Sequence, residues 1–348
     1  MGGEKGGLSY SATGVDIDVE KRVVKTLISR LGAGRRKGKK DVPGGFFTGL
    51  VDFGDYYLSL CTDGVGSKVL VASAMQKWDT VGIDCIAMNV NDMICAGARP
   101  IAFVDYLAVE KHDLRFAEEI GRGLARGAEM AGVRIIGGET ATLPEIVRGF
   151  DLAGTCLGAV RKDRVITGEK VSPGDVLVGL QSSGLHSNGY TLARKIVEKK
   201  GGFHSPFPAD PTKSWGEVLL EPTRIYVKPV LAVVERYDVH GLAHITGGGL
   251  ENIPRMNPSH GYEITDPFTP QPVFIELQRL GGVSDQEMYR VFNMGMGFVL
   301  AVSPEEADNV VGTLRDMGEN AKVVGRVVDG GEKGGWVRHV PLGLEYRL

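Results

Sequence analysis

Apolar positions along the chain follow two rhythms, and the switches between them set out a series of helices and strands. Residues 79–96 carry Ile83, Ile86, Ala87, Val90 and Ile94 near helical spacing, which predicts a long helix ended by Gly97 and Pro100. Residues 114–131 keep the helical rhythm up to Gly132, residues 19–31 up to Gly32, and residues 68–76 form a shorter predicted helix. Short apolar runs bounded by turn residues predict strands: YYLSLC (56–61), IAFVDYLAV (101–109), VRIIGG (133–138) and DLAGTCLGAV (151–160). VRIIGG is expected to be a buried strand that breaks on its two glycines and leaves Glu139 at its tip. Residues 41–49 read as a loop.

The charged, turn-rich stretch 161–174 reads as a junction, and the pattern restarts after it. DVLVGL is a predicted strand, QSSGLHSNG a loop, and residues 190–199 a helix. A Gly/Pro/Ser-rich excursion fills 201–214. Helices follow near 225–237 and from residue 250, with strands GFVLAV (297–302) and VVGRVV (323–328). Ser303 is expected to cap a helix opening on Pro304. No fixed-period repeat is present. The chain therefore reads as α/β, or α+β, with mixed sheets in two domains, 1–168 and 169–348.

Composition narrows the possible functions. With 43% hydrophobic and 24% charged residues, the 348-residue chain is that of a globular protein. A formal charge of −3 gives no polybasic field, so nucleic acid is not an expected partner. The run RRKGKK (35–40) reads as a solvated loop. The four cysteines, Cys61, Cys85, Cys95 and Cys156, form no CxxC pair and have no histidine at zinc spacing, so free thiols in a reducing compartment are expected. No apolar run approaches a membrane span, MGGEKGG lacks the apolar core of a signal peptide, and a cytoplasmic location is expected. Fifty glycines, about twice average usage, cluster at the ends of apolar runs, where they permit close approach of a ligand to the backbone.

No P-loop, strand-coupled GxGxxG, GxSxG, HExxH or kinase signature occurs, so any nucleotide site is built differently. Asp63-Gly64-Val65-Gly66-Ser67-Lys68 joins a carboxylate at a strand end, close-approach backbone and a lysine opening a helix, although an Asp-Gly turn alone reads equally well. Asn89, Asn91 and Asp92, with Asp84 upstream, sit among residues that look buried; Asp84, Asn91 and Asp92 share one helical stripe. A buried carboxylate needs a cation or donors. Gly137-Gly138-Glu139-Thr140 supplies the third acidic point. Asp63, Asp92 and Glu139 together suit Mg²⁺, which takes one or two carboxylates with phosphate oxygens and water. In the second half, His186 lies in SSGLHSNGY, where Ser187 and Asn188 are placed to cap a helix, and His244 precedes Ile245-Thr246-Gly247-Gly248-Gly249, a phosphate-cradle pattern. On pattern alone, packing or capping is the favoured reading of either histidine over chemistry.

The motifs LSYSATGVDID, CTDGVGSK, GIDCIAMNVNDMICAGARP, GGETAxxP, SSGLHSNGY, EPTRIYVKPV, HITGGGLENIPR and EMYRVFNMGMG run in this order from Leu8 to about Gly297. As a set they resemble the phosphoribosylformylglycinamidine cyclo-ligases, also called aminoimidazole ribonucleotide synthetases. Residues 33–53 and the last twenty match poorly. The resemblance implies the two-domain ATP-binding synthetase fold of that superfamily and a homodimer whose N-terminal sheets join across the two-fold axis. It implies ATP-dependent ring closure of formylglycinamidine ribonucleotide: the formamide oxygen takes the γ-phosphoryl group, a substrate nitrogen attacks, and phosphate leaves. Asp63, Asp92 and Glu139 would hold Mg²⁺, with Lys68 assisting and Gly64, Val65, Gly66, Asn91, Gly138 and Thr140 around the nucleotide. Ser187, Asn188 and Thr246 to Gly249 would hold substrate, and His186 or His244 would move a proton or stabilise departing phosphate. Rival readings are another member of the superfamily, of thiamine-monophosphate kinase or selenophosphate synthetase type, and a non-catalytic nucleotide-binding module.

Overall fold

The computed structural model describes Gly14 and residues 17–31, 47–111 and 113–348. The N-terminal arm, most of the 41–49 loop, the RRKGKK run and His112 lie outside these residues. Helix α1 (Ile17–Leu31) is followed by the hairpin β1 (Gly49–Phe53) and β2 (Tyr56–Gly64), then α2 (Lys68–Met75), α3 (Asp79–Ile94), β3 (Arg99–Val109), α4 (Leu114–Ala131), β4 (Arg134–Thr142) and β5 (Phe150–Arg161). These strands form one sheet in the order β1-β2-β5-β3-β4. Only β3 and β4 are parallel, because α4 carries the chain back between them.

Helices α3 and α4 cover one face of this sheet. They cross without side chains between them: a Cβ on Gly123 would lie 2.0 Å from the Asp79 carbonyl oxygen, and one on Gly82 2.4 Å from the Leu124 nitrogen. Twelve of the sixteen α3 residues are buried, as expected of a helix with packed neighbours on every side. Its polar residues Asp84, Asn89 and Asn91 are fully buried too, and each must find partners inside the protein.

The second half contributes β6 (Val176–Gln181), α5 (Tyr190–Glu198), β7 (Pro206–Phe207), β8 (Asp210–Ser214), α6 (Trp215–Leu219), α7 (Val227–Arg236), β9 (Val239–His244), β10 (His260–Ile264), α8 (Pro272–Gly281), α9 (Asp285–Val291), β11 (Met296–Val302), α10 (Ala307–Asp316), β12 (Ala321–Asp329), β13 (Trp336–His339) and β14 (Leu344–Arg347). Seven strands form a second sheet, β14-β13-β10-β12-β6-β11-β9, whose β11 is buried along its whole length. The excursion at 201–214 contains the β7–β8 hairpin.

Three local expectations need correcting. Strand β4 is exposed at the sheet edge, and it runs through Gly137 and Gly138 to Thr142 because the ladder with β3 continues there. Glu139 is therefore in mid-strand, not at a tip. The segment after the glycine triplet is a 3₁₀ helix, Gly249–Arg255, with Pro254 inside it and so one N–H fewer for an α-helical ladder. The final helix starts at Ala307, with Glu306 as N-cap, after a turn at 304–306. Among the described residues no helix is long and apolar enough to cross a membrane.

Candidate active site

Asp63 is the penultimate residue of β2, and α3 fixes its position. Asn89 Nδ2 donates to the Asp63 carbonyl at 3.1 Å and to the Cys85 carbonyl at 2.9 Å. The Gly64 N–H donates to Asp63 Oδ1 at 2.7 Å, and the Val65 N–H to the Leu152 carbonyl at 2.9 Å. Both amides therefore already have acceptors within the chain. Burial, and next the charge of Asp92, push the Asp63 carboxyl up to about 6.

Asp92 reaches across to the second half of the chain. Its Oδ1 accepts from Nδ1 of His244, the last residue of β9, at 2.8 Å. His244 is fully buried, and its Nε2 has no protein partner. With the proton on Nδ1, Nε2 presents a bare lone pair. His186 has the opposite polarity. Its Nε2 accepts from the Ser183 N–H at 3.2 Å, so the proton sits on Nδ1, which has no acceptor. Burial, and secondarily His244 and Lys68, hold the His186 imidazole well below the usual histidine range, so it stays neutral. One ring offers a donor and the other an acceptor, each unpaired at a cost of about 1–3 kcal/mol.

The loops beside these rings are tied together. Asn188 Oδ1 lies 3.1 Å from where a Cβ on Gly247 would stand, and Asn188 Nδ2 is buried without a partner. Asn188 does not cap α5; the N-cap is Gly189 and receives no side-chain bond. Ser187 Oγ lies 3.2 Å from Thr223 Oγ1. Asn252 shapes the glycine loop by donating to the carbonyls of Gly247 at 3.1 Å and Gly249 at 3.0 Å, and more weakly to that of Thr246 at 3.4 Å. Gly248 precedes the 3₁₀ turn with φ of 93°. Asn293 does the same for the other loop: Oδ1 accepts from Ser182 Oγ at 2.9 Å, and Nδ2 donates to the Gly184 carbonyl at 2.8 Å. Asn252 and Asn293 went unrecognised in the sequence although both lie inside quoted motifs.

Glu139 does not join Asp63 and Asp92. Across the sheet Asp63 pairs with Gly154, Gly154 with Asp105, and Asp105 with Gly138, so these four share one face. Glu139 is one residue further and faces the other side, beside Tyr106. Thr140 returns to the Asp105 face. A Cβ on Gly138 would lie 2.4 Å from Asp105 Oδ1 and force that carboxylate to move. Asp105 was missed, though a lone carboxylate in the apolar run IAFVDYLAV was a usable signal; burial raises its carboxyl above the ordinary range.

Lys68 and Asn91 are placed otherwise than expected. Lys68 is fully buried and forms an ion pair with Asp84 Oδ2 at 2.8 Å, so its ammonium does not line a phosphate site. Asn91 is bonded to the backbone of Arg224 and Tyr226. The stripe of Asp84 and Asn91 faces residues 223–226, whereas Asp92 turns to His244. The four thiols are free, and burial raises each of them, which leaves them unreactive. A cavity of about 550 Å³ between 163–170 and 234–240 contains none of the candidate site residues.

Two family models match successive parts of the chain. A family model described as AIR synthase related protein, N-terminal domain, matches residues 48–160, and its C-terminal counterpart matches 172–338. The phosphoribosylformylglycinamidine cyclo-ligase of Methanosarcina barkeri is 54% identical over 326 residues, covering 93% of this chain and 96% of that one. The protein of the same name from Methanocaldococcus jannaschii is 50% identical over 330 residues, 94% of each. The hydrogenase maturation protein HypE in complex with ATP has a TM-score of 0.62 at 18% identity, covering 94% of this chain and 93% of that chain. The thiamine-monophosphate kinase of Stenotrophomonas maltophilia has a TM-score of 0.61 at 18% identity, covering 83% and 86%. These two share the fold. With half its residues matched to relatives over nearly its full length, the chain belongs to the phosphoribosylformylglycinamidine cyclo-ligase family.

Proposed function

We propose that this chain closes the imidazole ring of 5-aminoimidazole ribonucleotide from formylglycinamidine ribonucleotide, with ATP converted to ADP and phosphate. The Asp92–His244 pair carries the reading: a half-buried carboxylate fixes the tautomer of a buried imidazole and leaves one ring nitrogen as a base without a protein partner. Ring closure joins a nitrogen to an activated formamide carbon, and that nitrogen must lose a proton. His244 Nε2 is suited to take it, and His186 Nδ1–H to donate to an oxygen of the substrate. Asn188 and the Thr246–Gly249 turn hold the substrate side. Residues 1–168 form the nucleotide side and 169–348 the substrate side in this assignment.

Mg²⁺ fits the acidic groups present. Asp63 and Asp92 interact as like charges, and no set of three metal-binding side chains occurs among the described residues. A small hard cation that draws its other oxygens from phosphate and water needs no more. When bound it would neutralise phosphate charge. Asp63 and Asp92 would hold it; Asp105 lies on the same face as Asp63, and Glu139 of the same chain does not.

The face of the first sheet away from α3 and α4 carries Val51, Leu60, Val104 and Tyr106, all 37–60% exposed. An apolar sheet face of this kind suits a second copy, and a homodimer in the cytoplasm is the proposed working form. The test is direct. Purified protein, ATP, Mg²⁺ and formylglycinamidine ribonucleotide should yield ADP and an arylamine in equal amounts. ADP release that ignores the ribonucleotide would sink the reading.

A further inference from the structure

Residues 221–226, Glu-Pro-Thr-Arg-Ile-Tyr, have no regular structure, yet they sit between the two halves of the molecule, with Thr223 and Tyr226 fully buried. Three fully buried side chains hold this segment from the first half. Lys68 Nζ donates to the Glu221 carbonyl at 2.7 Å. Asp84 Oδ1 accepts from the Thr223 N–H at 2.7 Å and from its hydroxyl at 2.6 Å. Asn91 donates to the Arg224 carbonyl at 2.8 Å and accepts from the Tyr226 N–H at 2.9 Å.

The other side of the segment grips the loop that carries His186. Ser183 Oγ donates to the Pro222 carbonyl at 2.6 Å, and Thr223 Oγ1 lies 3.2 Å from Ser187 Oγ. The Tyr226 hydroxyl donates to the Gln181 carbonyl at 2.9 Å, and its ring centre lies 6.2 Å from that of His186. Lys68 spans both layers, since Nζ also donates to the His186 carbonyl at 3.0 Å. His186 itself has φ of 62°, a left-handed conformation that a non-glycine residue keeps only when its surroundings impose it.

Stability is a poor reason for this cluster. Taking both Lys68 and Asp84 out of water costs several kcal/mol per ion, and well-packed apolar side chains often do as well. Geometry is a better one. Lys68 opens α2 directly after the Asp63 turn, so the ammonium that holds the His186 carbonyl is anchored five residues from Asp63. We propose that Lys68, Asp84 and Thr223 are positioning residues, forming a buried relay that fixes the His186 loop to the corner carrying Asp63 and so sets the spacing between nucleotide and substrate. This rests on the functional reading above for what the two sides bind.

Thr223→Val removes the hydroxyl and keeps the shape, Thr223→Ser restores the hydroxyl, and Lys68→Met with Asp84→Asn removes both buried charges together. Expected for Thr223→Val is a kcat about tenfold lower, the loss of about one hydrogen bond in the transition state, with affinity for a non-hydrolysable ATP analogue within about twofold. Thr223→Ser should return kcat to within about threefold. The double variant should lose about 100-fold in kcat and keep the analogue affinity. If it does not fold, Thr223→Val decides. Folded variants with unchanged kcat overturn the relay, and an analogue affinity that falls in step with kcat overturns it in favour of direct phosphate contact by Lys68. The His186 ring resonances, read by NMR without substrate, should shift in Thr223→Val and not in Thr223→Ser. If the unaltered protein fails to turn over the ribonucleotide, the functional reading falls, and this spectrum alone still upholds or overturns the relay.

Discussion

Asp92 Oδ1 and His244 Nδ1 meet at 2.8 Å across the two halves of the molecule, one from the last turn of α3 and the other from the end of β9. A carboxylate in this position does two things to an imidazole. It fixes the ring orientation, and it keeps the proton on Nδ1 so that Nε2 remains an acceptor.

Asp92→Asn tests that assignment. An amide can turn its NH₂ towards Nδ1 and drive the proton to Nε2, which destroys the acceptor while preserving the geometry. The expected result is a loss of at least about 100-fold in kcat. His244→Ala should lose a similar amount, and the double variant little more than either single one, because the two act as a unit. Steady-state kinetics of the three variants at saturating Mg²⁺, which sets aside any loss of metal affinity through Asp92, decide this. Additive losses would mean that Asp92 and His244 work separately.

His186 gives a pH dependence with a definite sign. Burial depresses its folded-state basicity, whereas the unfolded chain takes up a proton near the ordinary value of 6.5. Below that pH the unfolded state binds more protons, so folding stability falls as the solution is acidified. Its contribution is fully present above 6.5 and declines by up to about 1.4 kcal/mol per pH unit below it. Urea titrations between pH 7.5 and pH 5 should show a shallower decline for His186→Gln than for the natural chain. Parallel curves would mean that the imidazole protonates while folded.

Much of this was readable in the residue pattern, and the remainder failed for physical reasons. Helix α4 and its Gly132 end were legible because amphipathic spacing and a glycine in the left-handed region are local signals. Asp63 was legible as the end of an apolar strand next to glycines. The destination of Lys68 was not, because its partners, Asp84, Glu221 and His186, lie 16, 153 and 118 residues away. Glu139 looked equivalent to Asp63 because both follow apolar runs. The face that a strand residue takes depends on its register with β3, which no local pattern records. Strands β9, β10, β13 and β14 were missed because they are short and interrupted by glycine or polar residues, and only the sheet they complete makes them strands.

The register of the first sheet separates two carboxylates that the sequence set side by side. Asp105 shares the Asp63 face, so Asp105→Asn should weaken binding of Mg²⁺ and an ATP analogue by about three- to tenfold, through loss of negative charge near the nucleotide. Glu139→Gln alters only the opposite face of its own chain. In calorimetry on a protein held monomeric it should leave analogue affinity unchanged. A loss for Glu139→Gln equal to that for Asp105→Asn in the monomer would overturn the register argument.

The open face of that sheet bears on assembly. Val104 and Tyr106 from β3 and Leu60 from β2 stand on it with Val51 from β1, and no helix of the described residues covers them. A charge at the centre of such a face has no partner when two copies meet, and burying it costs several kcal/mol. Within one chain the same charge points to solvent and is tolerated. Val104→Glu should therefore fold with an unchanged far-ultraviolet spectrum, yet sediment as a monomer at concentrations where the natural chain is expected to sediment as the proposed dimer. Thr155 pairs with Val104 in the β5 register and lies on the same face, so Thr155→Glu should act alike. Lys199, exposed at the C-cap of α5 in the second half, should tolerate reversal to Glu with no change in sedimentation. Dimers that survive both sheet-face substitutions would place the contact elsewhere.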